Sequence, residues 1–190
     1  MSTTSIMIVG VGGQGSLLAS KLLGRVLTAE NYDVKVSEVH GMSQRGGSVV
    51  TYVRFGDKVY SPIVDAGEAD FIVSFEKLEA ARYVSNLKIG GKIIVNSQQI
   101  DPMPVITGAA AYPAEVLDTL REMGAEVQEM DALTLAMEAG SPKAVNIVLM
   151  GRLARYLGIP EEKWIAAIET TVAPAFVELN KKAFALGYNG

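Results

Sequence analysis

Ser5–Glu30 reads SIMIVGVGGQGSLLASKLLGRVLTAE, and this stretch decides the fold. Ser5–Gly10 is a short apolar run closed by glycine, the pattern of a strand buried on both faces of a parallel sheet. Gly12–Gly15 breaks the run. Ser16–Glu30 then sets apolar residues at helical spacing, so the unit is strand, tight turn, helix. Working outward, Val34–Val39, Val49–Phe55, Asp70–Phe75, Lys92–Asn96 and Glu126–Met130 read as further strands, Val49–Phe55 being rich in β-branched and aromatic residues. Gly56-Asp57 suggests a hairpin turn into Lys58–Ser61, and Val105–Gly108 suggests a short extra strand. Glu76–Leu87 reads as a helix capped by Gly90-Gly91, and Pro113–Met123 as a helix opened by its proline. Beyond Ala132 everything reads as helix, with starts at Ser141-Pro142, Pro160 and Pro174. The expectation is a Rossmann-like α/β domain of three layers, a mostly parallel sheet between helices, with a helical C-terminal part. No linker, repeat or low-complexity tract divides the chain, so residues 1–190 read as one domain.

Composition narrows the function. Of 190 residues, 49% are hydrophobic and 20% charged, the balance of an ordinary globular protein. The net charge is -4 and the basic residues are scattered, which argues against nucleic acid as a partner. No run approaches the ~20 apolar residues of a membrane span, and Met1–Ser5 lacks a signal peptide's basic start, so the expected location is cytoplasmic. The chain has 0 cysteines and 1 histidine, which removes thiolate catalysis, iron–sulfur ligation and an ordinary zinc site from its own repertoire.

Gly10-Val11-Gly12-Gly13-Gln14-Gly15 matches G-x-G-x-x-G in the strand–helix setting that dinucleotide binding requires. The glycines allow a tight turn, a close ligand and close helix–strand packing, and the helix start favours an anion. Glu38, at the end of the second strand, is the candidate partner for ribose hydroxyls. A tight crossover with no ligand explains the same glycines. Gln14, which the fingerprint does not require, weakens the dinucleotide reading.

His40-Gly41-Met42-Ser43-Gln44-Arg45-Gly46-Gly47 sets an imidazole, a hydroxyl, an amide and a guanidinium among three glycines. Its expected place is the C-terminal edge of the sheet, beside the first loop. Arg45 suits a carboxylate or phosphate because its planar fork meets two oxygens at once. No acid at strand or helix spacing orients His40 as a base, and a loop whose Arg pairs with a surface acid is the plainer alternative. Asn146 reads as a buried amide satisfied by backbone. Trp164, Phe176 and Phe184 read as core or interface aromatics, Glu161-Glu162 as a helix-start acid pair, and the eight methionines as core fillers.

Together, GVGGQG at Gly10–Gly15 and SEVHGMSQRGGSV at Ser37–Val49 resemble the gamma-type subunit of the 2-oxoacid:ferredoxin oxidoreductases. The second segment is nearest in wording to the beta subunit of the indolepyruvate type. It also resembles the gamma component of 2-oxoglutarate-type and pyruvate-type enzymes. AVNIVLMG at Ala144–Gly151 and NKKAFALG at Asn180–Gly187 extend the resemblance toward the end of the chain. It implies oxidative decarboxylation of a 2-oxoacid with thiamine diphosphate, electrons passing through iron–sulfur clusters to ferredoxin, and coenzyme A as co-substrate. This sequence has no GDG motif to hold the diphosphate's magnesium, and no cysteine. The resemblance therefore implies that thiamine diphosphate, magnesium and clusters sit on a large alpha subunit, and that ferredoxin is met through the complex. His40, Ser43, Gln44, Arg45, Gly46 and Gly47 would face that partner's pocket, and Gly10, Gly12, Gly13, Gln14 and Gly15 would shape the adjoining loop. No residue is assigned as catalytic and no metal to this chain. A free-standing NAD(P)- or FAD-binding oxidoreductase and a non-enzymatic nucleotide-binding module are the rival readings, and a homodimer of the isolated chain stays open.

Overall fold

The structure, a computed structural model, describes residues 3–40 and 46–190, with His40 described through its backbone. The elements in chain order are β1 (Thr4–Val11), α1 (Ser16–Ala29), β2 (Asp33–His40), β3 (Ser48–Gly56), β4 (Ala69–Ser74), α2 (Lys77–Arg82), β5 (Leu87–Asn96), α3 (Met103–Ile106), α4 (Val116–Glu122), β6 (Glu126–Met130), α5 (Ala132–Ala139), α6 (Val145–Leu157), α7 (Glu161–Thr171) and α8 (Val177–Asn189). Short 3₁₀ turns at Val84–Asn86, Pro142–Ala144 and Pro174–Phe176 complete them.

The strands form one sheet in the order β2-β3-β1-β4-β5-β6. β1, β4, β5 and β6 run parallel, while β3 lies antiparallel to both β1 and β2. The sheet is thus mostly parallel, as expected, with one reversed strand. Burial explains the apolar run that opened the chain. Ile6 and Ile8 point into a core with α1, α5, α6, α7 and α8, whereas Met7 and Val9 point into a second core with α2 and α4. A strand covered by helices on both sides has no polar face to show.

On the first side, α6 and α8 meet almost backbone to backbone. A Cβ on Gly151 would overlap the Phe184 carbonyl, and one on Gly187 would overlap the Val148 carbonyl. Trp164 and Phe184 are fully buried and stack at 5.6 Å, as core aromatics should. Phe176, by contrast, is exposed, and so are Met103, Met123 and Met137, so those methionines do not fill the core.

Several local expectations are corrected. Lys58–Ser61 is not a strand, and the chain after Gly56 runs without regular structure to Asp65. Val105–Gly108 is not a strand either; Pro102 and Pro104 open the short helix α3 instead. Pro113 precedes α4, which begins at Val116. The helix expected over Glu76–Leu87 ends at Arg82. Gly90-Gly91 lies inside β5, where Leu87 to Lys92 opposes only Ala69 to Phe71. That excess is a bulge, and it needs glycine twice: Gly90 has φ 79°, and a Cβ on Gly91 would sit 2.9 Å from the Ala69 carbonyl oxygen.

Candidate functional site

β1 leads to the α1 side of the sheet and β4 leads to the opposite side, so the C-terminal ends of these neighbours mark the switch point where α/β folds keep their ligands. The Gly12–Gly15 loop lies there. So does the exit of the His40–Gly47 segment, because β3 pairs with β1 in a register that sets Val11 against Ser48. Gly12 N–H donates to the Gly47 carbonyl at 2.8 Å, and Gly46 N–H to the Gly12 carbonyl at 3.5 Å. The two glycine-bearing segments are therefore stitched together by their own backbones. Gly10, Gly12, Gly13, Gln14, Gly15, Gly46 and Gly47 share this edge. Ser43, Gln44, Arg45 and the His40 side chain lie outside the described residues.

Gln14 is not a ligand hook at the loop tip. Its side chain folds beneath the loop, where Oε1 accepts from Val11 N–H at 2.7 Å and Nε2 donates to the Phe75 carbonyl at 3.1 Å. Gly10 is needed for this, since a Cβ there would stand 2.8 Å from Gln14 Oε1. Asn96 continues the line: fully buried, it donates to the same Phe75 carbonyl at 3.2 Å and accepts from Ala132 N–H at 3.1 Å. Gln98 Oε1 takes weaker contacts from both amides. These amides join the ends of β1, β4, β5 and β6 into one rigid rim. Asn146 bears out its sequence reading: buried, it donates to the Gly15 carbonyl at 3.2 Å. Gly15 stands at φ 87°, and a Cβ there would lie 2.7 Å from Asn146 Nδ2.

The dinucleotide arrangement is absent. Glu38 pairs with Thr51 of β3, which in turn pairs with Ile8 of β1, so a whole strand separates Glu38 from the glycine loop. Two strand spacings amount to roughly 9.6 Å, twice the separation of the adjacent strands that carry loop and acid in the dinucleotide fingerprint. The amides of Gly12 and Gln14 are also engaged within the protein and are not available to a phosphate.

On the α2 side of the rim stands a polar cluster that sequence reading missed. Glu76 is 1% exposed and caps α2 by accepting from Glu79 N–H at 3.0 Å; it also accepts from the Tyr112 hydroxyl and from Ile100 N–H at 3.2 Å. Burial first, and then the hydrogen bond to Glu76, raises the Tyr112 phenol well above its ordinary pKa. Glu79, 4% exposed, accepts from the Ser48 hydroxyl and, at 3.0 Å, from Arg82 Nε. The one signal in the sequence was an acid directly after the apolar run Asp70–Phe75, the position of a helix cap.

Two clefts flank the rim. One, about 440 Å³, is lined by Gly13, Gln14, Gly15, Gln98, Leu133 and Lys143. The other, about 340 Å³, is lined by Gly46, Gly47, Ser48, Glu79, Arg82 and Met103. A roomier groove of about 640 Å³ lies between α1 and α7, far from the rim. Its charged side chains are already engaged, Arg25 with the Thr170 carbonyl and Lys163 with Glu30, so the rim is the better site. Among the described residues no cluster of three His, Cys, Asp or Glu side chains could hold a metal ion, and no helix is long and apolar enough to cross a membrane.

The family model for pyruvate ferredoxin/flavodoxin oxidoreductase matches residues 5–190. The chain belongs to that family. It is 45% identical to the indolepyruvate oxidoreductase subunit IorB of Thermococcus kodakarensis, across 98% of this chain and 95% of the relative. It is 28% identical to the common gamma subunit of the pyruvate/ketoisovalerate oxidoreductases of Thermococcus litoralis, across 91% and 87%. Its fold is that of the pyruvate oxidoreductase subunit PORC of Thermotoga maritima, with a TM-score of 0.76 at 22% identity over 100% of this chain and 97% of the other. It also overlays 31% of the chain of the 2-oxoglutarate:ferredoxin oxidoreductase of Magnetococcus marinus, with a TM-score of 0.77. The gamma-type resemblance and the Rossmann-like fold expected from the sequence both hold, and the chain is an accessory subunit of a 2-oxoacid:ferredoxin oxidoreductase.

Proposed function

We propose that this chain is the small subunit of an indolepyruvate-type 2-oxoacid:ferredoxin oxidoreductase, which yields an aryl acyl-CoA, carbon dioxide and reduced ferredoxin. The observation that carries the reading is the 45% identity to an IorB subunit across nearly the full length of both chains, against 28% for the pyruvate/ketoisovalerate gamma subunit. Thiamine diphosphate does the carbon chemistry when bound, and the protein orients and shields it. This chain's own residues do not fit the resident groups. With 0 cysteines it offers no thiolate to iron, and it lacks the GDG motif for the diphosphate's magnesium. Thiamine diphosphate, magnesium and the clusters belong on a large alpha subunit, which also meets ferredoxin.

The part left to this chain is to complete the pocket. The rim built by Gly10–Gly15, Gln14 and Asn96 is the rigid platform, and His40–Gly47 is the segment it presents. Ser43, Gln44 and Arg45 contact the 2-oxoacid or coenzyme A, with Arg45 suited to an anionic oxygen pair. Co-expression with the large subunit gives a brown, thiamine-dependent complex that reduces an electron acceptor with arylpyruvates. In that complex Arg45→Ala raises the KM for 2-oxoacid or coenzyme A, or lowers kcat, by tenfold or more, about the loss of one charge-assisted bond. Wild-type kinetics in the variant would remove Arg45 from the site.

A further inference from the structure

The His40–Gly47 segment ends where β3 begins, and at that junction Ser48 donates its hydroxyl to a carboxylate that is 4% exposed. Glu79 comes from α2, on a different element and 31 residues away. Its second oxygen takes Arg82 Nε at 3.0 Å, and the Tyr83 hydroxyl reaches Ser48 Oγ at 3.2 Å. A buried carboxylate demands such partners, because leaving it unpaired costs several kcal/mol. The geometry in turn holds whatever is attached to Ser48. Two backbone bonds, Gly12 to Gly47 and Gly46 to Gly12, depend on that junction staying in place. Gly46 and Gly47, just before it, cannot hold it, since glycine restrains its backbone least of all residues.

We propose that Glu79 is a positioning residue for the reaction: through Ser48 it fixes the exit of the His40–Gly47 segment against the Gly12–Gly15 loop. It touches no substrate in this role and acts only through Ser48. The proposal rests on the reading above, that His40–Gly47 faces the partner's pocket. Arg82 is the counter-charge that takes the other carboxylate oxygen, at 3.0 Å, and so holds the group turned toward Ser48.

The test uses Ser48→Ala, which removes the hydroxyl and leaves the Glu79–Arg82 pair, with Ser48→Thr as the conservative rescue and Glu79→Gln as the companion variant. In the full-length chain, amide hydrogen exchange at Gly12 and Gly46 quickens about tenfold in Ser48→Ala, the scale of losing one hydrogen bond to a charged group. Exchange in β5 stays at the wild-type rate, and Ser48→Thr restores Gly12 and Gly46. Glu79→Gln keeps one acceptor oxygen for Ser48 and loses the ion pair with Arg82, so it quickens the same two amides less than Ser48→Ala does. In the reconstituted complex Ser48→Ala changes KM for the 2-oxoacid more than kcat, and Ser48→Thr recovers it. Unchanged exchange at Gly12 and Gly46 overturns the proposal whatever the kinetics do. Faster exchange with unaltered turnover keeps Glu79 as the anchor of the segment but overturns its role in the reaction, together with the reading that the segment faces the pocket.

Discussion

At the scale of single residues, the rim depends on side-chain amides rather than charges. Gln14 serves as acceptor for Val11 N–H and as donor to the Phe75 carbonyl at once, which a carboxylate cannot do. Gln14→Glu therefore sets an oxygen against two acceptors, Phe75 O and Gln98 Oε1. It should lower stability by about 1–3 kcal/mol at neutral pH, read as a shift in the urea midpoint with no change in slope. Sequence reading recognised the loop but saw in Gln14 only a residue that the dinucleotide fingerprint does not require. A pattern of glycines says where the chain turns, not whether the intervening side chain points outward or folds beneath. Asn146 was legible because an amide inside an apolar stretch of helix, here the seven buried residues Val145–Gly151, has only backbone to bond.

At the scale of elements, the strands of strong β character were all legible, and the errors fell at proline and glycine. Gly90-Gly91 resembled a helix cap because bulges and caps need the same left-handed backbone, and only the partner strand tells them apart. Strand order was hidden because β2 and β3 read alike whether they lie side by side or apart. One helix start lends itself to a pH test. Asp131 caps α5, accepting from the Thr134 hydroxyl at 2.6 Å and from Thr134 N–H at 3.0 Å. These bonds, the hydroxyl first, hold its carboxyl below the ordinary value. A depressed carboxyl stabilises the fold above its unfolded pKa of about 3.9 and loses that contribution as pH falls through the folded value. Asp131→Ala should thus cost about 1 kcal/mol at pH 7 in chemical denaturation, and the gap from wild type should close in acid.

At the scale of the whole molecule, the helical layer behind the rim depends on one close crossing. The repeated endings VLMG and FALG are explained by it, since each supplies a glycine where the other helix's backbone passes. Neither α6 nor α8 can withdraw alone, because α6 also packs on α1 and the sheet while Phe184 stacks between Trp164 and Tyr188. Gly187→Ala should then destabilise the full chain by about 3 kcal/mol, the upper end of overpacking, since backbone and not a flexible side chain stands in the way. A fall in Tm with loss of tryptophan burial would register it. The overall class was legible from the alternation of strands and helices, but this crossing was not. It depends on two segments 36 positions apart that meet only after folding.

The single reversed strand gives the molecule an interchangeable part. Because β3 returns beside β2, the His40–Gly47 stretch is bounded by a closed ladder pair, His40 with Val49, and both ends stand on neighbouring strands of the same sheet. In a strand–helix crossover, altering a connecting stretch disturbs the docking of the helix that follows. Here β3 follows directly, and its register with β2 runs unbroken from Asp33 opposite Gly56 to His40 opposite Val49. Substitutions in this stretch can therefore be accommodated while the scaffold keeps its shape, much as a tool bit changes in a fixed chuck.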